Sequence, residues 1–221
     1  HALSLNCSTL EYRLIPANLE GFSWVITHTG KPRGLADSPY NQRRNECEEA
    51  LSRLRAIRPD LAHLAGVRPE DWPDLAPLLL DGEHQPRDLL LRRARHVVFE
   101  NDRAQWGARL LAEGNAAGFG RLMVASHESL REDYEVTGPE LDALVEAAWQ
   151  APGCIGSRMT GAGFGGCTIS LVRRDQVDDL TNCVGTRYRQ EIGLEPRFYP
   201  SGIGAGARER TSELAGLWPG A

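Results

Sequence analysis

The chain has 221 residues, 41% of them apolar and 25% charged, enough for one good-sized domain or two small ones around a true core. A net charge of −5 and a pI near 5.7 leave no basic excess to neutralise a phosphate backbone, so nucleic acid is not expected as a partner. No apolar run approaches the roughly 18 residues of a membrane span, and His1 to Leu10 lack the basic start and long apolar stretch of a signal peptide.

Residues 2–14 alternate loosely through Leu3, Leu5 and Cys7, then Leu10, Tyr12 and Leu14, which predicts strand with a break. Phe22 to Thr27, aromatic and β-branched, predicts a second strand. Gly30 to Gly34 is turn chemistry. Ser38 is placed to cap a polar helix from about Tyr40 to Ile57. Five prolines between 58 and 90 predict an irregular connection with short helices. Helical spacing then runs from Leu89 to Glu113, ended by Gly114, and again from Ala116 to Arg131. Thr137-Gly-Pro-Glu140 reads as a capping box opening a third helix with Leu141, Leu144, Val145 and Ala148 on one face. Cys167 to Val172 predicts strand, Asp175 to Ile192 helix, and Pro196 to Tyr199 a last strand. The tail 201–221 is expected to fray. This order predicts an α+β fold, a mainly antiparallel sheet packed with helices. The five scattered cysteines form no CxxC pair and are expected as reduced thiols.

The stretch with the most chemical content is Ser157 to Val172. Four glycines in six positions (Gly161, Gly163, Gly165, Gly166, around Ala162 and Phe164) precede a β-branched run. Amides without side chains can approach a phosphate closely. The spacing also satisfies GxGxxG, but a dinucleotide turn needs a strand before and a helix after, and here a strand follows. No Lys-Ser or Lys-Thr follows the glycines, so it is not a P-loop. The plain alternative is a glycine-rich turn joining helix to strand without a ligand.

Arg158-Met-Thr-Gly-Ala-Gly-Phe-Gly-Gly-Cys167 is similar to the third signature motif of the GHMP kinases, in the form typical of galactokinases. Ser38-Pro-Tyr-Asn-Gln-Arg-Arg-Asn-Glu-Cys47 resembles a second family segment. Arg95-His96 with Glu100-Asn101 and Arg103 resembles a third. The run Ser126 to Arg131, Asp133 to Val136 and Glu140 to Asp142 resembles a fourth. These span nearly the whole chain in the family order.

The resemblance implies the carboxy-terminal domain, residues 1–221, of a cytoplasmic kinase that moves the γ-phosphate of ATP to the anomeric hydroxyl of galactose with Mg²⁺. It gives Tyr40 a contact to the sugar, with a half-buried core tyrosine as the plain alternative. It puts Gly161, Ala162, Gly163, Phe164, Gly165 and Gly166 near the phosphates in a supporting role. Ser126, His127, Arg131, Arg95 and His96 are read as helix-packing residues. The family's sugar segment, its ATP loop and its catalytic aspartate have no match here. The chain, which starts on His1 and goes straight into strand, is therefore expected to be inactive alone and to lack an amino-terminal domain. A kinase for another sugar, such as N-acetylgalactosamine, or a non-catalytic sugar sensor are the alternatives.

Overall fold

The computed structural model describes residues 1–17, 19–32, 39–80 and 88–204. Strands β1 (Ala2–Leu5) and β2 (Tyr12–Ile15) form a two-stranded antiparallel hairpin. Strands β3 (Phe22–His28), β4 (Cys154–Thr160), β5 (Cys167–Arg173) and β6 (Arg197–Ser201) form an antiparallel sheet in the order β4-β5-β3-β6. The helices are α1 (Tyr40–Arg55), the short α2 (Trp72–Leu75), α3 (Leu89–Ala112), α4 (Ala116–Glu132), α5 (Pro139–Trp149) and α6 (Val177–Ile192). Between α1 and α3, residues 64–66, 69–71 and 76–79 add single 3₁₀ turns around α2.

The sheet lies between two helical layers, and the period-two alternation of its strands sorts its side chains. From β3 and β5, Val25 and Val172 face α5 and α6, where Ala147, Leu144, Leu180, Val184 and Tyr188 bury around them. Trp24, Ile169 and Leu171 face the other way, onto Met123 and Phe119 of α4 and Leu111 of α3. Trp24 and Phe119 meet edge to face, 5.8 Å apart. A separate cluster joins α1 to α3 through Leu54, Leu79, Leu90 and Val98. Each such fully buried leucine contributes about 2 kcal/mol by removal from water.

α4 lies directly on β4. A Cβ at Gly120 would come within 2.4 Å of the Ile155 carbonyl oxygen, and one at Gly156 within 2.3 Å of the Gly120 oxygen. No side chain fits between the two backbones.

Two expectations are corrected. The capping box does not form. Gly138, at φ +91°, is the N-cap, Pro139 is the first helical residue, and no side chain caps the end. Glu140 pairs instead with Lys31 at 2.9 Å, and Thr137 is buried one position too early to cap. The turn from helix to strand before the glycines is replaced by a strand, β4, that no periodicity marked. The Ser38 cap lies outside the described residues, as do Arg33 and Gly34 of the predicted turn and the tail beyond 204. Among the described residues no helix is long and apolar enough to cross a membrane.

Candidate functional site

β4 and β5 form a hairpin whose last ladder pair is Thr160–Cys167, which leaves residues 161–166 as its tip. Five of these six residues have positive φ: Gly161 +87°, Gly163 +83°, Phe164 +57°, Gly165 +110° and Gly166 +94°. Four of the five are glycine, the one residue that visits this region without penalty. Phe164 is held there by its neighbours. Its N–H donates to the Val136 carbonyl at 2.7 Å, and its ring packs with Leu130, Val136, Leu141 and Met159. Gly163 lies so close to that carbonyl that a Cβ would meet the oxygen at 2.1 Å. On the other side, the Gly166 carbonyl accepts from the Thr29 N–H at 2.8 Å. The Gly166 N–H donates to Thr29 Oγ1 at 3.3 Å. The Thr29 carbonyl in turn accepts from the buried Tyr188 hydroxyl at 2.8 Å.

The six residues therefore divide. Gly163, Gly165 and Gly166 are buried, Phe164 is half-buried, and only Gly161 and Ala162 are exposed. A Cβ at Gly161 would meet nothing within 4 Å. The inner four residues hold the shape of the tip and the outer two face open space.

Tyr40 is the first residue of α1 and is 58% exposed. It lies near Tyr134, whose phenol is pushed above its usual range by burial, then by Cys47, then by Tyr40. Tyr134 also packs against the cluster beneath Phe164. Tyr40 and the glycine tip are thus brought to the same short segment, residues 134–136.

The polar residues of the fourth segment hold helices together. Ser126 donates to Glu100 at 2.5 Å and accepts from Arg158 at 2.9 Å. His127 is fully buried and its Nδ1 accepts from the Met159 N–H at 3.2 Å. Its Nε2 lies 3.2 Å from Asp142, and its ring meets the edge of Trp149. Asp142 is in reach for a charge interaction but off the line of a hydrogen bond. Arg131 pairs with Glu132 and Glu146 on the surface. His96 stacks on Tyr134 at 4.5 Å and shares a 2.9 Å hydrogen bond with Ser129. Burial lowers its pKa from the ordinary 6.5 to about 4. Arg95 pairs with Asp133. Thr29, which holds the tip from the far side, carried no signal in the sequence beyond its place after β3.

Among the described residues, no group of three His, Cys, Asp or Glu side chains could hold a metal ion. The exposed backbone at Gly161 and Ala162 is suited to donate N–H hydrogen bonds to an anion, phosphate oxygens above all.

Residues 108–190 match the model of the GHMP kinases C terminal family. A galactokinase of Halalkalibacterium halodurans is 48% identical over 209 residues, covering 95% of this chain and 51% of that protein. A galactokinase of Bacillus subtilis is 48% identical over 213 residues, covering 96% and 53%. The crystal structure of Lactococcus lactis galactokinase complexed with galactose superposes with a TM-score of 0.85 at 42% identity, over 92% of this chain and 51% of that one. L. major mevalonate kinase shares the fold alone, with a TM-score of 0.53 at 14% identity. The chain spans about half the length of the curated relatives it matches. By its fold, its family match over 108–190 and its likeness along nearly its whole length, this chain carries a GHMP kinases C-terminal domain and is similar to the carboxy-terminal part of galactokinases.

Proposed function

We propose that this chain forms one wall of the active cleft of a kinase that transfers the γ-phosphate of ATP to galactose, yielding galactose 1-phosphate in the cytoplasm. The observation that carries this reading is the glycine tip. It is built rigidly from the inside and left open on the outside, and rests on the same 134–136 segment that Tyr40 lies near, as a surface that receives phosphates would. The exposed edge at Gly161 and Ala162 takes the phosphate-facing position, with Gly163, Phe164, Gly165 and Gly166 setting its shape. Tyr40 offers a hydroxyl that both donates and accepts, as a sugar hydroxyl requires. Phosphoryl transfer depends on positioning and charge stabilisation, with Mg²⁺ neutralising the phosphates. Among the described residues no group of three His, Cys, Asp or Glu side chains is gathered for that metal.

The rest of the cleft belongs to an amino-terminal domain. Leu3 pairs with Leu14 and Leu5 with Tyr12 across the β1–β2 hairpin, so the four side chains share one face. They are 49–65% exposed. A contiguous apolar face of this kind marks a partner surface, and the missing domain is its occupant.

The test is ATP-dependent phosphorylation of a hexose panel, including N-acetylgalactosamine, by the intact protein and by residues 1–221 alone. Galactose turnover by the intact protein and none by the fragment is expected. Turnover of no hexose by the intact protein would defeat the reading. In the intact protein Tyr40→Phe is expected to raise the sugar KM by about tenfold, the loss of one hydrogen bond of ~1.4 kcal/mol.

A further inference from the structure

Helix α4 ends at Glu132, and the last carbonyls of a helix have no partner within it. Ordinarily water or a left-handed glycine satisfies them. Here the Ser129 and Leu130 carbonyls accept from the N–H groups of Asp133, Tyr134 and Val136, and three arginines from two other helices take the Glu132 carbonyl and the three that follow it. Arg92 donates to the Glu132 carbonyl at 2.9 Å and Arg93 to the Asp133 carbonyl at 2.5 Å. Arg43 donates through Nε to the Tyr134 carbonyl at 2.7 Å and through Nη2 to the Glu135 carbonyl at 3.1 Å. The next carbonyl along, Val136, is the one that receives the Phe164 N–H of the glycine tip. Five consecutive carbonyls are thus each assigned a donor, four from arginines and the fifth from the loop.

The arginines are themselves fixed. Arg93 has a side chain 1% exposed, between Glu46 at 2.6 Å and Glu135 at 2.6 Å. Glu46 also accepts from Arg43 at 3.1 Å. Glu135 has φ +52°, so the chain turns sharply at the residue before Val136. An apolar side chain at a buried charged site is often as stabilising as the ion pair. Stability alone therefore does not call for this arrangement, while a defined carbonyl direction does. Arg43 lies one helical turn after Tyr40, so its two hydrogen bonds tie the start of α1 to the same segment the loop rests on.

We propose that Arg43 and Arg93 are positioning residues that set the spacing between Tyr40 and the glycine tip by fixing the carbonyls of residues 133–136. This rests on the kinase reading for its effect on turnover, and on geometry alone for its effect on the loop. The test uses the intact protein, with hydrogen exchange over residues 160–166 read by mass spectrometry beside galactose kinetics. In Arg43→Ala, exchange over 160–166 is expected to rise by about tenfold as local opening becomes easier. The kcat/KM for galactose is expected to fall by about 10²-fold, the effect of a misplacement near 1 Å, through both KM and kcat. Arg43→Lys keeps the charge beside Glu46 but cannot fork between two carbonyls, and is expected to behave like the alanine variant. It serves as the test should the alanine variant not fold. Arg44→Ala, next along α1 and paired with Glu48 on the surface, is expected to change neither readout. Unchanged exchange at 160–166 in a folded Arg43 variant overturns the proposal, as does full kinetic rescue by lysine. If the unsubstituted protein phosphorylates no sugar, the kinase reading falls and the exchange arm alone decides the coupling.

Discussion

The two hairpins of this molecule solve opposite problems. The β1–β2 hairpin packs Ala2 and Ile15 onto the core and leaves Leu3, Leu5, Tyr12 and Leu14 bare on its outer face. The β4–β5 hairpin is enclosed by α4, α5 and β3, and its tip is held on one side by Val136 and on the other by Thr29. The first has one positive-φ residue in its turn, Leu10, and an uncovered apolar face, while the second has five at its tip and is packed on most sides. Backbone strain is affordable where surrounding contacts over-determine it, and an apolar face is tolerable where another domain covers it.

The sharpest way to break this contrast is at Gly163. Gly163→Ala meets both a positive φ and an oxygen at 2.1 Å, and is expected to lower stability by about 3 kcal/mol and to abolish turnover in the intact protein. Urea unfolding and galactose kinetics check it.

Acid probes the support beneath the same tip, because His96 stacks on Tyr134. A histidine whose folded pKa lies below its unfolded value is held neutral by the fold. Its contribution is fully present above about 6.5 and is lost as pH falls toward about 4, since the unfolded chain takes up the proton first. Stability is expected to fall across that window with a slope from this residue approaching ~1.4 kcal/mol per pH unit. His96→Gln is expected to flatten it, measured as urea midpoint against pH. Glu135 acts lower on the scale. Burial pushes its carboxyl up, but hydrogen bonds from Arg92 and Arg93 outweigh this and hold it below the usual range. Its contribution is present above the ordinary carboxylate pKa and lost as pH drops through the depressed value.

Gly161→Ala shares the positive φ of Gly163 without the clash, and is expected to cost only about 1 kcal/mol. The smallest effect on stability belongs to the first hairpin. Leu3→Ser with Leu14→Ser is expected to stay within about 0.5 kcal/mol of the parent while reducing self-association of residues 1–221 in light scattering. A stability loss comparable to that of Gly163→Ala would mean that the outer face is core and the contrast false.

Much of the fold is legible from local pattern. α3 and α4 carry strong helical spacing and end or begin at Gly114 and Asn115, whose side chain accepts from the Gly118 N–H at 2.8 Å. β4 is not legible, because its middle is Gly156, Ser157 and Arg158. Each is there for a distant contact: the α4 backbone, the Ser170 hydroxyl at 2.9 Å, and Glu100 with Ser126. The glycine tip announces itself by composition, but its division into buried and exposed halves depends on Val136 and Thr29, far away in sequence. Arg43, Arg92 and Arg93 look like ordinary surface charges on polar helices. Nothing local says that they converge on carbonyls some 40 and 90 residues further on.

The contact between Gly120 and Gly156 constrains how this sequence can drift. A Cβ at Gly156 would run into the Gly120 backbone, and one at Gly120 would meet the Ile155 carbonyl oxygen at 2.4 Å, main-chain atoms that no smaller side chain can move out of the way. A larger residue at either position therefore has no compensating partner elsewhere in the chain. The only relief is to lift α4 bodily from β4, carrying the arginine-held turn and the tip of the second hairpin with it. The two sites can change only by leaving the fold, so an alanine at either one in a living lineage would indicate a displaced helix and a displaced tip together.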